Sequence, residues 1–522
     1  MSADGTPWWR DAVVYQIYPR SFADSNGDGI GDLAGITSKL DYLADLGVDA
    51  LWLSPIFTSP MRDFGYDVAD YCGIDPVFGT DDDFDEMLAG VHQRDMRLLL
   101  DWVPNHSSGD HPWFVESRSS RENPKRDWYV WRDRLSDGSP PTNWISLFKG
   151  VPAWTHDEAT NQSYLHVFLA EQPDLNWANP DVEAAMHDSL RYWLARGVDG
   201  FRADVVNLIG KGADVDDLPD HLKTMPLLAT DRPFGHELLR RIRTLLDSYE
   251  HEPMMVGEVY LLRGGESASY LGDIGGGAPE LHLSFDFRPL HTPWEADRMQ
   301  DALSKMEADF AEPGWPTFVL SNHDRPRHRT RFGTEARARA AAVLALTIRG
   351  TPFLYAGEEL GLEDGVVPPE RVVDPDGRDG CRAPIPWTAD GDDETGHGWP
   401  ERPWLPFPAN ASTHAAEAQV GDPASMHSLY RVLLALRHHH AVLRRGSIEF
   451  APLDDDGDAD GDVIRFERRL ADERVVVLVN VSDTASPWPT DLSDAVVLLS
   501  TDRHRRASGA ELAPDEAVIL NL

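Results

Sequence analysis

Hydrophobic positions along the 522-residue chain alternate between two spacings. Short, nearly continuous apolar runs read as buried strands at residues 11–19, 50–53, 96–102, 200–206, 254–258, 281–287, 317–321 and 353–355. Between many of them apolar residues recur at helical intervals. Leu33, Ile36, Leu40, Leu43 and Leu46 form one such face, closed by Gly47, and residues 83–95, 236–249 and 335–347 form others. Strand, helix, strand in repeated succession predicts parallel strands joined by crossover helices. Eight such units predict an α/β fold, a (β/α)8 TIM barrel.

The alternation breaks once. Residues 107–180 are rich in Trp, Asn, Asp and Pro and have little helical period, so they predict a lobe inserted after strand three. After a helix at 425–443, runs at 446–450, 463–468, 475–481, 495–499 and 517–520 predict a C-terminal antiparallel β domain with an acidic loop at 454–462. The expected division is barrel at 1–106 and 181–443, lobe (domain B) at 107–180, and β domain at 444–522.

A net charge of −40 argues against nucleic acid or an anionic membrane as partner. It fits either a salt-adapted host or an ordinarily acidic enzyme. No apolar run is long enough to span a bilayer and residues 1–10 lack a secretory signal pattern, so the expected location is cytoplasmic. Cys72 and Cys381 are the only cysteines, which excludes a disulfide framework. The expected state is a monomer or small homo-oligomer.

Polar clusters gather where the predicted strands end: His106, Arg202 with Asp204, Glu258, and His323 with Asp324. In an eight-stranded barrel the strands' C-terminal ends carry the chemistry. Arg202 and Asp204, two apart, leave a strand on one face, so the arginine is expected to keep the carboxylate ionised; the pair reads as a nucleophile site or a structural ion pair. Several carboxylates at one barrel mouth, with no Ser-His-Asp order and no phosphate-cradling glycine loop, suit glycoside hydrolysis. Oxygen donors at Asp24, Asn26, Asp28 and Asp32, with the Ile30 carbonyl, suit a structural Ca2+, with Mg2+ as the weaker fit; a solvated Asx-rich turn is the other reading. His438–His440 reads as metal-binding or solvated. No organic cofactor is expected.

Asp101-Trp-Val-Pro-Asn-His106, Gly200-Phe-Arg-Ala-Asp204, Gly257-Glu258-Val-Tyr and Asn322-His-Asp324 resemble the four motifs of the α-amylase superfamily, glycoside hydrolase family thirteen. Gln172-Pro-Asp-Leu-Asn-Trp177 and the opening residues 8–22 resemble its α-glucosidase and oligo-1,6-glucosidase branch. The resemblance implies Asp204 as nucleophile, Glu258 as general acid/base, kept protonated by neighbouring carboxylates, and Asp324 as transition-state stabiliser. It implies contacts to the nonreducing glucose from Asp67, Tyr66, His106, Phe168, Arg202, His323 and Arg382, with Arg378 as rival to Arg382. It also matches the calcium loop. The implied activity is retaining, exo-acting cleavage of short α-glucosides, with sucrose isomerase or transglucosylase as alternative and a non-catalytic barrel partner as a remote one. Arg325, where many relatives carry glutamine, and a short 363–378 segment depart from the branch. Val205 resembles α-1,6-preferring members, so linkage preference stays open.

Overall fold

The computed structural model describes residues 5–212, 215–226, 232–261, 265–272, 277–392, 394–452 and 462–522. The acidic run at 454–462 lies, except for Asp462, outside them. Eight parallel strands form the central sheet: β1 (Val14–Ile17), β2 (Ala50–Leu53), β3 (Arg97–Trp102), β4 (Gly200–Ala203), β5 (Met254–Gly257), β6 (Leu283–Ser284), β7 (Thr317–Val319) and β8 (Thr351–Tyr355). Their order is β6-β5-β4-β3-β2-β1-β8-β7. At the seam between β6 and β7 the Thr317 hydroxyl donates to the Ser284 carbonyl at 3.1 Å and accepts from the Asp286 amide at 3.3 Å. A side chain thus closes the barrel where strand pairing stops.

Several strands are shorter than their apolar runs suggest. The run at 281–287 yields only the two residues of β6, and that at 200–206 ends as a strand at Ala203. The run at 33–47 splits into helices Leu33–Thr37 and Leu40–Leu46, and Gly47 ends the second at φ 96°. Helix Glu335–Thr347 has the expected bounds. Helix Ala296–Asp309 has no counterpart in the sequence reading, although Met299, Leu303 and Met306 carry the spacing that would reveal it.

Val14, Trp52, Leu99, Val256, Leu283 and Phe353 fill the barrel interior, and a larger apolar layer packs between strands and helices. Strand register places the polar ends. Asp101 pairs with Arg202, and Arg202 with Val256, so Asp204 and Glu258 each lie two residues beyond paired positions and point the same way. Gly200 allows that close pairing: at φ +156° a Cβ there would lie 2.2 Å from the Met254 carbonyl oxygen.

Between β3 and β4, helix Pro112–Ser119 and a three-stranded sheet (Trp131–Arg132, Gln162–Leu165, Trp154–Asp157) build the inserted lobe. It returns to the barrel at Asp174, which bridges to His106. The C-terminal antiparallel sheet has the order β9 (Ser447–Phe450), β10 (Val463–Leu470), β11 (Glu473–Asn480), β13 (Ala517–Asn521), β12 (Val496–Ser500). Two buried arginines fasten it. Arg437 donates to the carbonyls of Leu346, Gly350 and Leu443, and Arg468 to those of Thr347, Leu443, Gly446 and Ser447. The carbonyls of Leu346, Thr347, Leu443 and Gly446 lie at helix C-terminal ends, where cations are favoured. Both cysteines are free. No helix of the described residues is long and apolar enough to cross a membrane.

Candidate active site

A cavity of about 280 Å3 opens at the C-terminal ends of the strands, and Asp204, Glu258 and Asp324 all line it. Arg202, 2 % exposed, sits behind them. Its Nη1 donates to Asp101 at 2.9 Å and to Asp204 at 2.8 Å, and its Nη2 to Glu258 at 2.5 Å. One planar guanidinium therefore fixes the carboxylates of three adjacent strands. Past Asp204 the chain turns sharply: Val205 adopts φ 34°, a conformation that costs a β-branched residue strain. Its amide donates to Glu258 Oε2 at 3.2 Å, and the next amide donates to the Glu258 carbonyl at 3.0 Å. The strained turn thus binds the end of β4 to the end of β5.

Burial raises the pKa of Asp204 well above the usual carboxylate range against the lowering effect of Arg202, and the charges of Glu258 and Asp101 act with burial. In the free site, burial therefore works against the ionising effect expected of Arg202. Loss of water outweighs a guanidinium shared among three carboxylates. Asp204 and Glu258 thus share one guanidinium, and the Glu258 charge adds to the upward push on Asp204. Asp101 is pushed up to about 6, chiefly by burial.

Asp324 behaves oppositely. Burial would raise its pKa, but His323, Arg378 and Arg382 hold it below the ordinary range. Since burial pushes His323 down to about 3, that ring is neutral at physiological pH and the arginines supply the positive field. Arg378 Nη1 lies 3.1 Å and Arg382 Nη2 3.2 Å from Asp324 Oδ1. His323 Nδ1 meets Gln16 Nε2 at 2.7 Å, and its Nε2 meets the Tyr66 hydroxyl at 2.6 Å. That hydroxyl donates to Asp101 Oδ2 at 3.0 Å. Gln16, His323 and Tyr66 thus form a chain that ends on the carboxylate bound to Arg202.

Tyr66, His106 and Phe168 line the cavity as expected, while Arg202, His323 and Arg382 stand behind its wall. Asp67 is displaced from its expected place. It is fully buried, its oxygens accept from the Ser59 hydroxyl and the amides of Arg62 and Asp63, and it caps a turn without lining the cavity. Asp63 lines the cavity instead. Likewise Arg378 reaches the cavity, whereas Arg382 is fully buried between Asp324, Asp374 and the His323 carbonyl. No periodicity marks Asp63; only the turn that buries Asp67 separates the two aspartates.

Lys211 also escaped the sequence reading. Its ammonium, 1 % exposed, donates to Asn105 Oδ1 at 2.5 Å and lies 3.3 Å from Asp174. An ammonium only donates, so Asn105 presents its amide group to His106 Nδ1 at 3.0 Å. With Nδ1 accepting, a neutral His106 carries its proton on Nε2, which lies 3.2 Å from both the Tyr66 carbonyl and the Gln172 side-chain amide nitrogen. Burial pushes His106 down to about 3, so it acts as a neutral donor.

In the 24–32 loop the Asp24 carboxylate accepts the amides of residues 26, 27 and 29, Asn26 accepts that of Asp28, and Asp28 that of Ile30. Asp32 caps helix Leu33–Thr37 and accepts from Ser25. The turn is thus satisfied by its own amides. Asp28 Oδ2, the second lone pair of Asn26 Oδ1 and the Ile30 carbonyl remain as hard oxygen donors of the type calcium takes, fewer than the roughly six to eight it needs, so waters would have to complete its shell. Among the described residues no group of three or more Asp, Glu, His or Cys side chains could by itself hold a metal. Any ion here would thus depend on amide and carbonyl oxygens. His438 and His440 instead pair with Asp49 at 3.3 Å and Glu473 at 2.7 Å.

The profile described as alpha amylase, catalytic domain, matches residues 16–446. A probable alpha-glucosidase of Rhizobium meliloti (strain 1021) is 42 % identical over 516 residues, covering 92 % of this chain and 90 % of its own. An oligo-1,6-glucosidase of Parageobacillus thermoglucosidasius is 37 % identical over 528 residues, covering 91 % of each chain. The crystal structure of the alpha-glucosyl transfer enzyme XgtA superposes with a TM-score of 0.90 at 39 % identity, covering 99 % of both chains. With four motifs converging on one cavity and the match spanning the barrel, the chain belongs to the α-amylase family of glycoside hydrolases, in its α-glucosidase and oligo-1,6-glucosidase branch.

Proposed function

We propose that the protein releases glucose from the nonreducing end of short α-glucosides through a covalent glucosyl-enzyme. The observation that carries this reading is the single guanidinium of Arg202 gripping both Asp204 and Glu258. Carboxyl groups bridged in this way favour the roughly 5 Å separation of retaining enzymes over the roughly 6.5–9.5 Å that inverting enzymes need for a water. In the proposed first step Glu258 acts as the general acid and donates a proton to the glycosidic oxygen. The bond from that oxygen to the anomeric carbon breaks, the aglycone leaves as an alcohol, and an Asp204 oxygen bonds to the anomeric carbon. Growing positive charge on the sugar ring favours ionised Asp204, and Asp324, held anionic by Arg378 and Arg382, stabilises the same charge. In the second step Glu258 takes a proton from water, the water oxygen bonds to the anomeric carbon, and the ester to Asp204 breaks.

If an alcohol replaces water in that second step, the outcome is transfer. Similarity to a glucosyl transfer enzyme favours this as a second outcome of the same chemistry. The test is incubation with maltose, isomaltose and sucrose, followed by NMR of the first-formed products. α-Glucose as the first anomer supports the reading; β-glucose first, or mainly rearranged disaccharide, contradicts it.

We also propose Ca2+ in the 24–32 loop, with Asn26, Asp28 and the Ile30 carbonyl as its free oxygen donors and Asp24 and Asp32 shaping the turn around it. It would supply structural stability remote from the reacting atoms. At a free concentration about 100 times Kd an ion that binds only the folded state adds about 2.7 kcal/mol. Melting with Ca2+ and with EDTA should differ by several degrees, and Asp28→Ala should abolish the difference; equal melting temperatures would argue for the self-satisfied turn.

A further inference from the structure

A second chamber, larger than the catalytic cavity at about 670 Å3, lies beside it and shares Met225, Tyr260, Phe287 and Arg325 as a common wall. Its far side is formed by helix Ala296–Asp309 and the residues that follow β6. Arg325 stands where the two spaces meet. It is exposed, its guanidinium donates to the Tyr260 hydroxyl, and it forms no ion pair among the described residues. It directly follows Asp324 in the chain, and its partner Tyr260 lies two residues after Glu258.

Charge in this chamber runs against the rest of the molecule. Four cations, Arg288, Arg298, Lys305 and Arg325, face two carboxylates, Asp286 and Asp301, in a chain whose net charge is −40. Arg288 is committed to Asp286 and to Asp309, and Lys305 to Asp301 at 2.7 Å. That leaves two cations without a close partner: Arg325 at the near wall and Arg298 at the far one, whose nearest carboxylate, Glu295, stands 3.9 Å away. His291, lowered by burial and by Arg325 and Arg331, adds a neutral polar group whose Nε2 lies 3.3 Å from the Tyr260 hydroxyl.

We propose that this chamber receives the aglycone, and that the enzyme prefers α-glucosides whose leaving group carries a carboxylate. This rests on the function proposed above and adds the substrate class. An anion there gains charge-assisted hydrogen bonds from Arg325 and is not repelled as it would be elsewhere on so acidic a surface.

The test compares 4-carboxyphenyl α-glucoside with its neutral 4-carbamoylphenyl counterpart. The acid is expected to have a kcat/KM about tenfold higher at low ionic strength, and the ratio should fall towards one as salt rises. Arg325→Gln should bring the ratio close to one, and Arg298→Gln should lower it less. Because the readout is a ratio within each protein, general damage cancels; should Arg325→Gln fail to fold, the salt dependence of the unaltered enzyme still decides. A ratio of one or below in the unaltered enzyme overturns the proposal. Failure to hydrolyse either glucoside would instead overturn the glucosidase reading on which it stands.

Discussion

Arg378 Nη2 lies 2.6 Å from Asp63 Oδ1, and this contact joins the segment after β2 to the segment after β8 across one side of the cavity. The same guanidinium holds Asp324 at 3.1 Å and Asp374 at 2.7 Å. Gln172, from the inserted lobe, donates to the other Asp63 oxygen at 3.0 Å. Three parts of the chain thus meet at one carboxylate. A wall at this point would limit how far a substrate chain can extend past the catalytic carboxylates, which is the basis we propose for exo action.

Asp63→Asn keeps the shape of the side chain but removes the charge that Arg378 faces. Breaking a buried ion pair by removing one member costs about 3–5 kcal/mol. Part of that should appear in catalysis, because Arg378 is then less firmly held against Asp324. The expected result is a fall of about a hundredfold in kcat/KM on a p-nitrophenyl α-glucoside. Asp67→Asn should instead lower the melting temperature with a much smaller effect on kcat/KM, since Asp67 caps a turn. Steady-state kinetics and melting of the two variants check the assignment.

Lys211 yields a prediction that separates positioning from stability. Lys211→Met leaves Asp174 buried and unpaired, at a cost of about 3–5 kcal/mol. Adding Asp174→Asn removes the orphaned charge, so the double variant should regain most of the stability. It should not regain activity, because nothing then forces the Asn105 amide towards His106. Melting and kcat/KM measured on the single and double variants test this. Joint recovery of both would show that Lys211 serves the fold alone.

Stability should also depend on pH through buried histidines outside the cavity. His328 is pushed down to about 3 by burial and by Arg331, Arg327 and Arg329, and its Nδ1 lies 3.0 Å from the Ser321 hydroxyl. The folded protein keeps the ring neutral, whereas the unfolded chain takes up a proton below about pH 6.5. Its contribution is therefore fully present above about pH 6.5 and is lost as pH falls towards 3. Asp67 and Asp101, both pushed up to about 6, act in the opposite direction between about pH 4 and 6. In His328→Asn those two remain and one histidine is gone, so the acid-side loss of stability should be shallower by about 1.4 kcal/mol per pH unit. Unfolding measured across that window checks the slope; identical slopes would contradict it.

The barrel was legible in the sequence because burial on both faces makes its strands continuously apolar, and Asp204, Glu258 and Asp324 fall where those runs stop. Element ends were less legible. At 281–287 a buried apolar run continues past β6 as irregular backbone that fills the barrel mouth, with Phe285 and Phe287 still buried. The layer around the carboxylates was legible only in part. Asp63 and Asp67 lie four residues apart in one loop, and which of them faces the cavity depends on a turn held by Ser59. Lys211 sits in a short 3-10 helix, and its partners Asn105 and Asp174 come from segments far away in sequence. Spacing along the chain carries no trace of such contacts. The upward push on Asp204 was illegible for a related reason: the Arg-x-Asp spacing shows the counter-ion but neither the burial nor the two further carboxylates that share it.

The central claim is an ester between a glucosyl unit and the side chain of Asp204, formed while Glu258 transfers the proton. It is tested most directly by incubating the enzyme with 5-fluoro-α-glucosyl fluoride, which slows breakdown of such an ester, and mapping the modified peptide by mass spectrometry. The account predicts a single fluoroglucosyl adduct on Asp204, formed with loss of activity and absent in Asp204→Asn. An adduct on Glu258 or Asp324, or inactivation with no covalent adduct at all, would contradict it.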